Sequence, residues 1–429
     1  RAAGVKNLPR ETEMSACDCS SHCGPSDLMP LEEALDLLLS HARKVDESEQ
    51  VPIDDALGRV LAETVTSRIT MPPWDNSAMD GYAVNTTDLR QAGVRMPVSQ
   101  RIPAGVSGTP LLAGTAARIF TGAPIPAGAD AVVMQEACEQ AGDHVTINRL
   151  PVIGANIRRA GEDTREGDEI LPAGIRIEPQ HMGLLASVGV ARVSVYRRLR
   201  VALFSSGDEL VMPGRPLGPG QIYNSNEFML DGLLRTTGCE VIRLGIVEDT
   251  LEATCTALLK AAEQADLVIA SGGVSVGEED HIKPAVERLG SLDLWKIAIR
   301  PGKPLAFGHV GSVPFIGTPG NPVSLFVTFC LFARPFILKA QGVMESLAPR
   351  AVSVKIDFDW PRPDKRREFA RARMELDDQG KPRISVHRSR SSGVLSSLAW
   401  ANGLAVLPEN KPLVRGDSVK FLPFSELLR

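Results

Sequence analysis

The sequence predicts an α/β multidomain protein, in which a central parallel αβ domain is flanked by β-rich domains and followed by a C-terminal β-domain. From Leu199 to Gln341, strand-like segments alternate with helix-like segments, as in a parallel sheet covered on both faces by helices. Short β-type runs separated by Gly and Pro fill 64–160, and similar runs follow Gln341. The 429 residues are enough for about three domains.

The N-terminal half begins with two segments that have apolar residues at helical spacing, LEEALDLLLSHA (31–42) and DDALGRVLAE (54–63). Four β-type runs then predict a small β-domain: RMPVSQRIP, ARIF, ADAVVMQE and HVTINRL. Helical spacing returns in EPQHMGLLASV. We therefore place an inserted β-domain at 67–160, within a linking helical and β-rich domain formed by 27–66 and 161–197.

The central segment, 198–345, is predicted to be the αβ domain. Its predicted strands are RVALF, CEVIRLGIV, DLVIA and PFIG, and its predicted helices are NEFMLDGLLRTTG, LEATCTALLKAAEQA, HIKPAVERLG and 322–341. Ligands of such sheets bind beyond the carboxyl ends of the strands. The loops SSGDEL, EDT, SGGVSVGEED and GTPGNPVS are therefore the candidate site loops. The β-type runs after them predict a C-terminal β-domain over 346–429.

Charge and hydropathy exclude several classes of partner. The formal net charge is −5, from 47 basic and 52 acidic residues, so no global field favours nucleic acid or an anionic membrane. The most apolar segment, 322–338, contains Arg334 and Pro335 and is shorter than the ~20 residues that a membrane span needs. The N-terminus lacks the residue order of a secretory signal. We expect a cytoplasmic protein without nucleic-acid or membrane partners.

Three of the seven cysteines lie close together near the N-terminus, in the segment CDCSSHCG. Cys17, Cys19 and Cys23, with His22, have side chains that could ligate zinc. However, these residues are crowded into one polar segment and no second cysteine pair follows. We therefore expect a disordered tail over 1–26, with a metal site as the alternative.

Two glycine-rich turns each have a structural and a functional interpretation. SGGVSVGEED (271–280) matches neither G-x-x-x-x-G-K-[ST] nor G-x-G-x-x-G. It is either a plain turn between a strand and a helix, or a loop whose backbone N–H groups contact an anion. Its carboxylates either favour the helix N-terminus or share a divalent cation with phosphate oxygens. GTPGNPVS (317–324) either only starts a helix or contributes to the same site.

Charged residues near these loops are further candidates. WKIAIRPGKP contains Lys296, Arg300 and Lys303, which are either solvated or directed to the ligand edge of the sheet. Carboxylates occur in two turn-rich stretches, MPPWDNSAMDGYAV and SSGDEL, where surface turns are the alternative. The sequence contains no H-E-x-x-H motif, and the seven scattered histidines indicate no histidine-based site.

Seven motifs occur in a specific order: DNSAMDGYAV, IFTGAPIPAGADAVV, ALFSSGDEL, GQIYNSN, SGGVSVGEEDHIK, IRPGKPLAFG and GTPGNPVS. In this order they resemble the MoeA-type molybdopterin molybdenumtransferases, the family that includes the gephyrin E domain. Each motif alone is moderately specific, whereas the ordered set is highly specific. The resemblance extends from about residue 30 to the C-terminus and implies that the central αβ domain is of the molybdopterin-binding type.

The resemblance implies the last step of molybdenum cofactor synthesis. The substrates would be adenylylated molybdopterin and molybdate, and a reaction dependent on Mg²⁺ or Zn²⁺ would release AMP. It also implies an elongated homodimer, whose site lies between the αβ domain of one subunit and the β-domain of the other. Other cofactor-synthesis proteins and acceptor molybdoenzymes are further expected partners. Two alternatives stay open: a molybdopterin adenylyltransferase, which shares the αβ domain, and a non-catalytic scaffold of the same fold.

The resemblance also implies roles for individual residues. It assigns catalysis to Asp80, Glu209, Asp280, Lys296 and Lys303, and metal binding to Asp249 and Asp280. Arg300 stands where the family often has lysine, so its contact geometry is expected to differ. In the C-terminal domain, Ser391 is the alternative to Ser392. The substrate-binding residues that the resemblance implies are Thr121, Gly272, Gly273, Ser275, Gly277, Arg300, Pro319, Gly320, Asn321, Ser324, Arg371 and Ser392.

Overall fold

A computed structural model describes residues 28–272 and 281–428. The described chain divides into two compact units. We call 28–42, 200–336 and 348–428 the αβ–barrel unit, and 43–199 with 337–347 the β-rich unit. The predicted tail over 1–26, with its cysteine cluster, lies outside the described residues.

The first helix of the described chain, α1 (Leu31–Ser40), belongs to the αβ–barrel unit, and the β-rich unit follows it. The predicted helical pattern at the chain start is confirmed here. The elements of the β-rich unit are β1 (Ser48–Pro52), β2 (Val65–Thr66), β3 (Asn76–Ser77), β4 (Gly81–Val84), β5 (Val94–Ile102), β6 (Ala116–Ile119), β7 (Ala131–Met134), β8 (Cys138–Ala141), β9 (His144–Ile147), β10 (Ile157–Arg158), β11 (Glu169–Leu171), α2 (Pro179–Ser187) and β12 (Arg192–Tyr196).

A six-stranded sheet forms the main body of the β-rich unit, with the strand order β7-β4-β6-β5-β9-β8. Most pairs of neighbouring strands in this sheet are antiparallel, whereas β5 and β6 are parallel. Its core includes Tyr82, Met96 and Val133, which are all buried. The four β-type runs of the predicted β-domain therefore correspond to β5, β6, β7 and β9.

The second predicted helix, over 54–63, is wrong. The structure has only one 3₁₀ turn, Ile53–Asp55, and Gly58 then adopts a φ of +74°. A positive φ ends a right-handed helix. Val60 and Leu61 continue as extended backbone and form bridges to other segments of the unit. The apolar residues whose spacing indicated a helix therefore lie in an irregular segment, in which Val60 and Leu61 are buried.

The elements of the αβ domain in the αβ–barrel unit are β13 (Arg200–Ser206), β14 (Leu210–Val211), β15 (Ile222–Tyr223), α3 (Ser225–Thr236), β16 (Glu240–Val247), α4 (Leu251–Gln264), β17 (Leu267–Ser271), α5 (Ile282–Leu289), β18 (Gly290–Lys296), β19 (Ile299–Arg300), β20 (Pro304–Val310) and β21 (Val313–Thr318). Six of these strands form one sheet with the order β16-β13-β17-β21-β20-β18.

Strands β16, β13, β17 and β21 are parallel to one another, as the alternation of strands and helices predicts. Their carboxyl ends therefore meet at one edge of the sheet. These ends are Ser206, Val247, Ser271 and Thr318, and the candidate site loops begin there. The other two strands, β20 and β18, extend the sheet antiparallel and were not predicted as separate strands. Apolar residues of β13 and β17, such as Phe204 and Val268, form the core under α4 and α5.

One continuous helical segment follows the sheet and consists of α6 (Pro322–Thr328), a π-helical turn (Phe329–Ala333) and α7 (Arg334–Ala340). Pro322 is at its first position, where a missing N–H costs nothing. The segment is long and apolar enough to cross a membrane, but 94% of its most apolar window is buried inside the protein. This burial is typical of the core helix of a globular domain.

The C-terminal β-domain is a small barrel. Its elements are β22 (Val352–Ile356), β23 (Arg367–Leu376), β24 (Pro382–Val386), α8 (Ser396–Trp400), β25 (Gly403–Leu407), β26 (Ser418–Pro423) and α9 (Phe424–Leu427). In the order β23, β24, β22, β26 and β25, each strand pairs with the next, and β25 pairs back with β23. In addition, β19 from the αβ domain pairs with β23, so the KIAIRPGK segment reaches the barrel.

Candidate active site

Acidic and hydroxyl side chains meet at the carboxyl edge of the parallel sheet. Ser206, the last residue of β13, donates from Oγ to Oδ1 of Asp249 at 3.1 Å. The backbone N–H of Asp249 in turn faces Oδ1 of Asp208 at 3.4 Å. Glu209 lies next to Asp208 in the same exposed turn. The predicted residues Glu209 and Asp249 therefore lie on neighbouring loops after β13 and β16.

The two glycine turns approach each other at the same edge. Gly272 has a φ of +89°, and a Cβ atom on it would come within 2.9 Å of the carbonyl oxygen of Ser206. Its N–H donates to the carbonyl oxygen of Thr318 at 3.3 Å. A side chain at Gly272 is therefore excluded both by φ and by the neighbouring backbone. Pro319, Gly320 and Asn321 follow Thr318 and lie beside it, so the structure brings these predicted residues together.

Four of the predicted residues lie outside the described residues. They are all in the loop between β17 and α5: Gly273, Ser275, Gly277 and Asp280. Their roles stay predictions.

The basic segment between the two glycine turns is half-buried. Lys296 is the last residue of β18, and its carbonyl oxygen accepts from the N–H of Met29 at 2.8 Å. Lys303 lies just before β20, and its carbonyl oxygen accepts from the N–H of Ile297 at 2.8 Å. Arg300, on β19, extends toward the barrel. The segment thus carries three cations, of which Arg300 lies on the strand that joins the αβ domain to the barrel.

Arg300 pairs with a carboxylate, Asp364, that was not predicted from the sequence. Its Nη1 donates to Oδ2 of Asp364 at 2.8 Å, and Nε of Arg366 donates to Oδ1 at 3.0 Å. Burial alone would raise the pKa of Asp364, but hydrogen bonds from the side chain and backbone of Arg366 and from Arg300 lower it overall, well below its usual range. Asp364 is therefore ionised throughout the physiological range and holds both arginines.

Arg371, on β23, is a buried cation with only 3% of its surface exposed. Its guanidinium donates to Oγ of Ser397 at 3.0 Å and to the carbonyl oxygens of Ser389 and Ser391. These acceptors are all uncharged. Burial lowers the pKa of Arg371, the charge of Arg300 acts in the same direction, and the charge of Glu368 opposes both.

Through these bonds Arg371 holds the serine loop, 389–393, against the start of α6. The carbonyl oxygen of Ser392 accepts from the N–H of Val323 at 3.0 Å. Ser324, the next residue of α6, is buried. The predicted residues Arg371, Ser392 and Ser324 therefore meet where the barrel contacts the αβ domain.

At the junction of the barrel and the αβ domain, positively charged side chains outnumber negatively charged ones. Glu368 is buried and pairs with Arg390, which was not predicted either. The connected group comprises four arginines and two carboxylates and so carries an excess of two positive charges. Its members are Arg300, Arg366, Arg371, Arg390, Asp364 and Glu368. We call this group the junction cluster. The segments REFARA and SRSSG could have indicated this cluster in the sequence, since each places an arginine near a carboxylate or a serine turn.

In the β-rich unit, Asp80 and Thr121 form a tight pair. The N–H and the hydroxyl of Thr121 both donate to Oδ1 of Asp80 at 2.8 Å. These two bonds, the backbone bond first, lower the pKa of Asp80 below its usual range. Arg118 lies nearby and donates to the carbonyl oxygen of Gly81 at 3.0 Å. The sequence motifs of Asp80 and Thr121 are 41 residues apart, but the structure makes them one feature.

Residues 28–272 and 281–428 contain no group of three or more His, Cys, Asp or Glu side chains placed to hold a metal ion. Two carboxylates, Asp208 and Asp249, lie on neighbouring loops at the sheet edge, where the Asp249 N–H faces Oδ1 of Asp208. Carboxylate and hydroxyl oxygens are ligands that Mg²⁺ favours over nitrogen or sulfur. The described residues therefore fit part of a magnesium site, and Asp280 lies outside them.

Comparison with known families identifies three regions in order. Residues 29–189 match the MoeA N-terminal region (domain I and II), and residues 353–424 match the MoeA C-terminal region (domain IV). Residues 202–339, the αβ domain, match the family described as "Probable molybdopterin binding domain". The predicted fold class and family resemblance are confirmed.

Individual relatives agree with these matches. A molybdopterin molybdenumtransferase of Haemophilus influenzae is 39% identical over 407 residues, which cover 94% of this chain and 100% of the relative. One from Nostoc sp. is 38% identical over 397 residues, covering 90% and 91%. The crystal structure of the molybdopterin biosynthesis MoeA protein from Pyrococcus horikoshii OT3 is similar with a TM-score of 0.77 at 30% identity, covering 92% of this chain and 100% of that one. The chain therefore belongs to the MoeA family, and as a member of it the protein is a transferase of molybdenum cofactor biosynthesis.

Proposed function

We propose that this protein inserts molybdenum from molybdate into adenylylated molybdopterin and releases AMP. The observation that carries this proposal is the buried guanidinium of Arg371, which donates only to uncharged acceptors among the described residues and whose neighbouring carboxylate, Glu368, already pairs with Arg390. A buried charge is costly unless an opposite charge compensates it. An anion beside Arg371 would supply that compensation.

The charge of the junction cluster suits an anion. Its four arginines outnumber its two carboxylates, so a bound oxyanion would offset the remaining positive charge. Arginine forks and serine N–H or hydroxyl groups are donors that recognise tetrahedral oxyanions. Ser391, Ser392 and Ser324 lie at the same junction, and they are the proposed hydroxyl and backbone contacts.

The pterin phosphate and the adenylate are proposed to bind at the sheet edge, along Gly272 and the turn from Pro319 to Asn321. Cleaving a phosphoanhydride needs charge neutralisation and an aligned nucleophile more than covalent catalysis. Lys296 and Lys303 border this edge and would neutralise the developing charge on the phosphate oxygens. Asp80, held ionised by Thr121, is the proposed carboxylate of the β-rich unit that acts in the same reaction.

We propose that the reaction needs Mg²⁺, with Zn²⁺ as the alternative metal. Asp249 and Asp280 would hold the ion, and Glu209 would act near it. When bound, the ion would neutralise charge on the anhydride oxygens. The hydrogen bond from Ser206 orients the carboxylate of Asp249 at the sheet edge, which supports its assignment.

The test is a single-turnover assay with purified protein, adenylylated molybdopterin and molybdate, with Mg²⁺ or Zn²⁺ as the added metal. We expect AMP release that depends on both molybdate and the metal. No molybdate-dependent release with either metal would refute the proposal. Formation of adenylylated molybdopterin from ATP and molybdopterin would instead identify an adenylyltransferase, and no turnover in either assay would favour the non-catalytic scaffold.

We also propose a cytoplasmic homodimer whose substrates are the pterin and molybdate. Nucleic acid and membranes are not proposed as partners, while other cofactor-synthesis proteins and acceptor molybdoenzymes are. The chain mass is 46.1 kDa, so light scattering on the purified protein distinguishes a dimer from a monomer directly. A mass equal to one chain at micromolar concentration would refute the dimer.

A further inference from the structure

We propose that Asn226 is a positioning residue for the pterin substrate, because its side-chain amide ties the end of β17 to the turn before α6. This inference rests on the proposed function, in which both segments contact adenylylated molybdopterin. None of the sequence motifs assigned a role to Asn226, although it is the last residue of GQIYNSN.

The amide group of Asn226 makes two hydrogen bonds. Nδ2 donates to Oγ of Ser271 at 3.0 Å and to the carbonyl oxygen of Gly320 at 2.7 Å. A carbonyl oxygen can only accept, so the bond to Gly320 determines which end of the amide faces the turn. Ser271 and Gly320 are 49 positions apart in sequence, and one side chain connects them.

A buried polar network holds Asn226 in place. Asn224 caps α3, and it accepts from Oγ of Ser205 at 3.2 Å and donates to Glu227 at 2.8 Å. Glu227 is 1% exposed and pairs with Arg243. Because these groups satisfy one another, the first turn of α3 has little freedom, and Asn226 extends from it to the two segments.

The remaining polar atom of Asn226 is left without a partner. Its Oδ1 is buried and accepts no hydrogen bond from the described residues. A buried acceptor without a donor lowers stability. Replacing Asn226 by Ala would remove this acceptor together with two hydrogen bonds, so the gain and the loss in stability should largely cancel. A rise in KM without a lower melting temperature would therefore distinguish ligand placement from a purely structural role.

The distance between the two segments is small enough for one bridge to matter. A Cβ atom on Gly320 would lie 3.9 Å from Cα of Gly272, so the two backbones are nearly in contact. A ligand that contacts both segments would sense a shift of a few tenths of an ångström, since catalytic and binding geometry tolerates little displacement. Loss of the bridge should therefore weaken substrate binding first.

The experiment compares Asn226→Ala and Asn226→Asp with a matched control, Asn402→Ala. Asn402 also bridges two segments: its Nδ2 donates to the carbonyl oxygen of Met374 at 2.9 Å, and its Oδ1 accepts from the Met374 N–H at 2.8 Å. Asn402 lies in the barrel and has no assigned role at the sheet edge. Its loss should lower the melting temperature and leave the KM values unchanged within twofold.

For Asn226→Ala we expect the KM for adenylylated molybdopterin to rise about tenfold, with the KM for molybdate unchanged and the melting temperature not lowered. Asn226→Asp should have the larger effect, because its carboxylate would face the carbonyl oxygen of Gly320. An unchanged KM in both variants, or a KM that changes only together with the melting temperature, would overturn the proposal.

A second measurement separates this inference from the proposed function. Hydrogen exchange without substrate reports the amides of 267–272 and 318–323 directly. We expect these amides to exchange about tenfold faster in Asn226→Ala than in the wild type, and to be unchanged in Asn402→Ala. If the wild type released no AMP, the proposed function would fail, whereas faster exchange would still establish the bridge. Unchanged exchange in Asn226→Ala would refute the bridge whatever the activity.

Discussion

Arg300 donates from Nη1 to Oδ2 of Asp364 at 2.8 Å, although the two residues come from different domains. Arg300 lies on β19, which reaches from the αβ domain to the barrel, and Asp364 precedes β23. Arg366 shares the same carboxylate through Nε. This pair therefore ties the two domains together and also sets where the guanidinium of Arg300 lies in the junction cluster.

Replacing Asp364 by Asn should destabilise the protein and change its response to acid. We expect the free energy of unfolding at pH 7 to fall by about 2 kcal/mol, because two partly buried arginines lose a shared carboxylate. The folded pKa of Asp364 is depressed, so its stabilisation is present above the unfolded pKa of about 3.9 and is lost as the pH falls through the folded value. The variant should therefore show a shallower loss of stability below about pH 4 than the wild type.

Urea unfolding across this pH range checks the prediction. The matched control is Asp357→Asn, because Asp357 pairs with Arg415 at an exposed site where both side chains are more than half exposed. Exposed pairs contribute little, so this variant should stay within about 0.5 kcal/mol of the wild type. Equal destabilisation by the two variants would contradict the assigned importance of the Asp364 pair.

Arg371→Lys should separate charge from geometry in oxyanion binding. Lysine keeps the positive charge but cannot bond the carbonyl oxygens of Ser389 and Ser391 and the hydroxyl of Ser397 at once. We expect the KM for molybdate to rise at least about tenfold while the KM for adenylylated molybdopterin changes less. Arg373→Lys is the control, since Arg373 is exposed on the same strand. A molybdate KM that is equal in the two variants would show that Arg371 only supports the fold.

Asp80→Ala should lower kcat by about 100-fold, because a half-buried carboxylate that is proposed to act in the reaction is removed. The melting temperature should fall only slightly, since the N–H and hydroxyl of Thr121 lose one shared acceptor. Thr121→Val removes only the hydroxyl donor and leaves the backbone N–H bond, so its loss should be smaller. As the folded pKa of Asp80 is depressed, its carboxylate is charged throughout the neutral range, and the pH dependence of kcat/KM between pH 5 and 8 should not report it.

The pH profile and kcat of both variants are compared with Asp143→Asn, a surface carboxylate of the same unit that pairs with His144. That control should behave as the wild type. Near-normal turnover of Asp80→Ala would remove Asp80 from the catalytic set.

Chelation with EDTA should abolish AMP release, and Mg²⁺ should restore it. We expect Asp249→Asn to raise the Mg²⁺ concentration for half-maximal rate by about tenfold, because a charged oxygen ligand becomes neutral. Asp280→Asn should act in the same direction. Glu252→Gln, in the first turn of α4 and close to Asp249 in sequence, is the control and should leave the metal dependence unchanged. If Asp249→Asn and Glu252→Gln had the same metal dependence, Asp249 would not be a ligand.

The sequence was sufficient for most elements of the αβ domain and the barrel. Strands such as β13 and β17 consist of uninterrupted apolar residues, and α4 follows Thr250, which caps it. Helix prediction failed at 54–63, because a single positive φ at Gly58 redirects the chain in a way that apolar spacing does not reveal. Strands β18 and β20 were missed, because Asp293 and Lys296 interrupt the apolar pattern of β18, and β20 begins at Pro304 and contains Gly308.

The candidate site, too, was predictable from the sequence only in part. Glycine turns and ordered motifs are local in sequence, so the letters alone determined the family and the loops that surround the sheet edge. The tertiary structure decided which distant polar groups share a partner: Arg300 with Asp364, 64 positions apart, and Asn226 with Gly320, 94 positions apart. Such pairs depend on strand order and on the docking of the barrel. The residue pattern within one segment cannot predict these pairs, because a hydrogen bond depends on proximity in space and not on spacing along the chain.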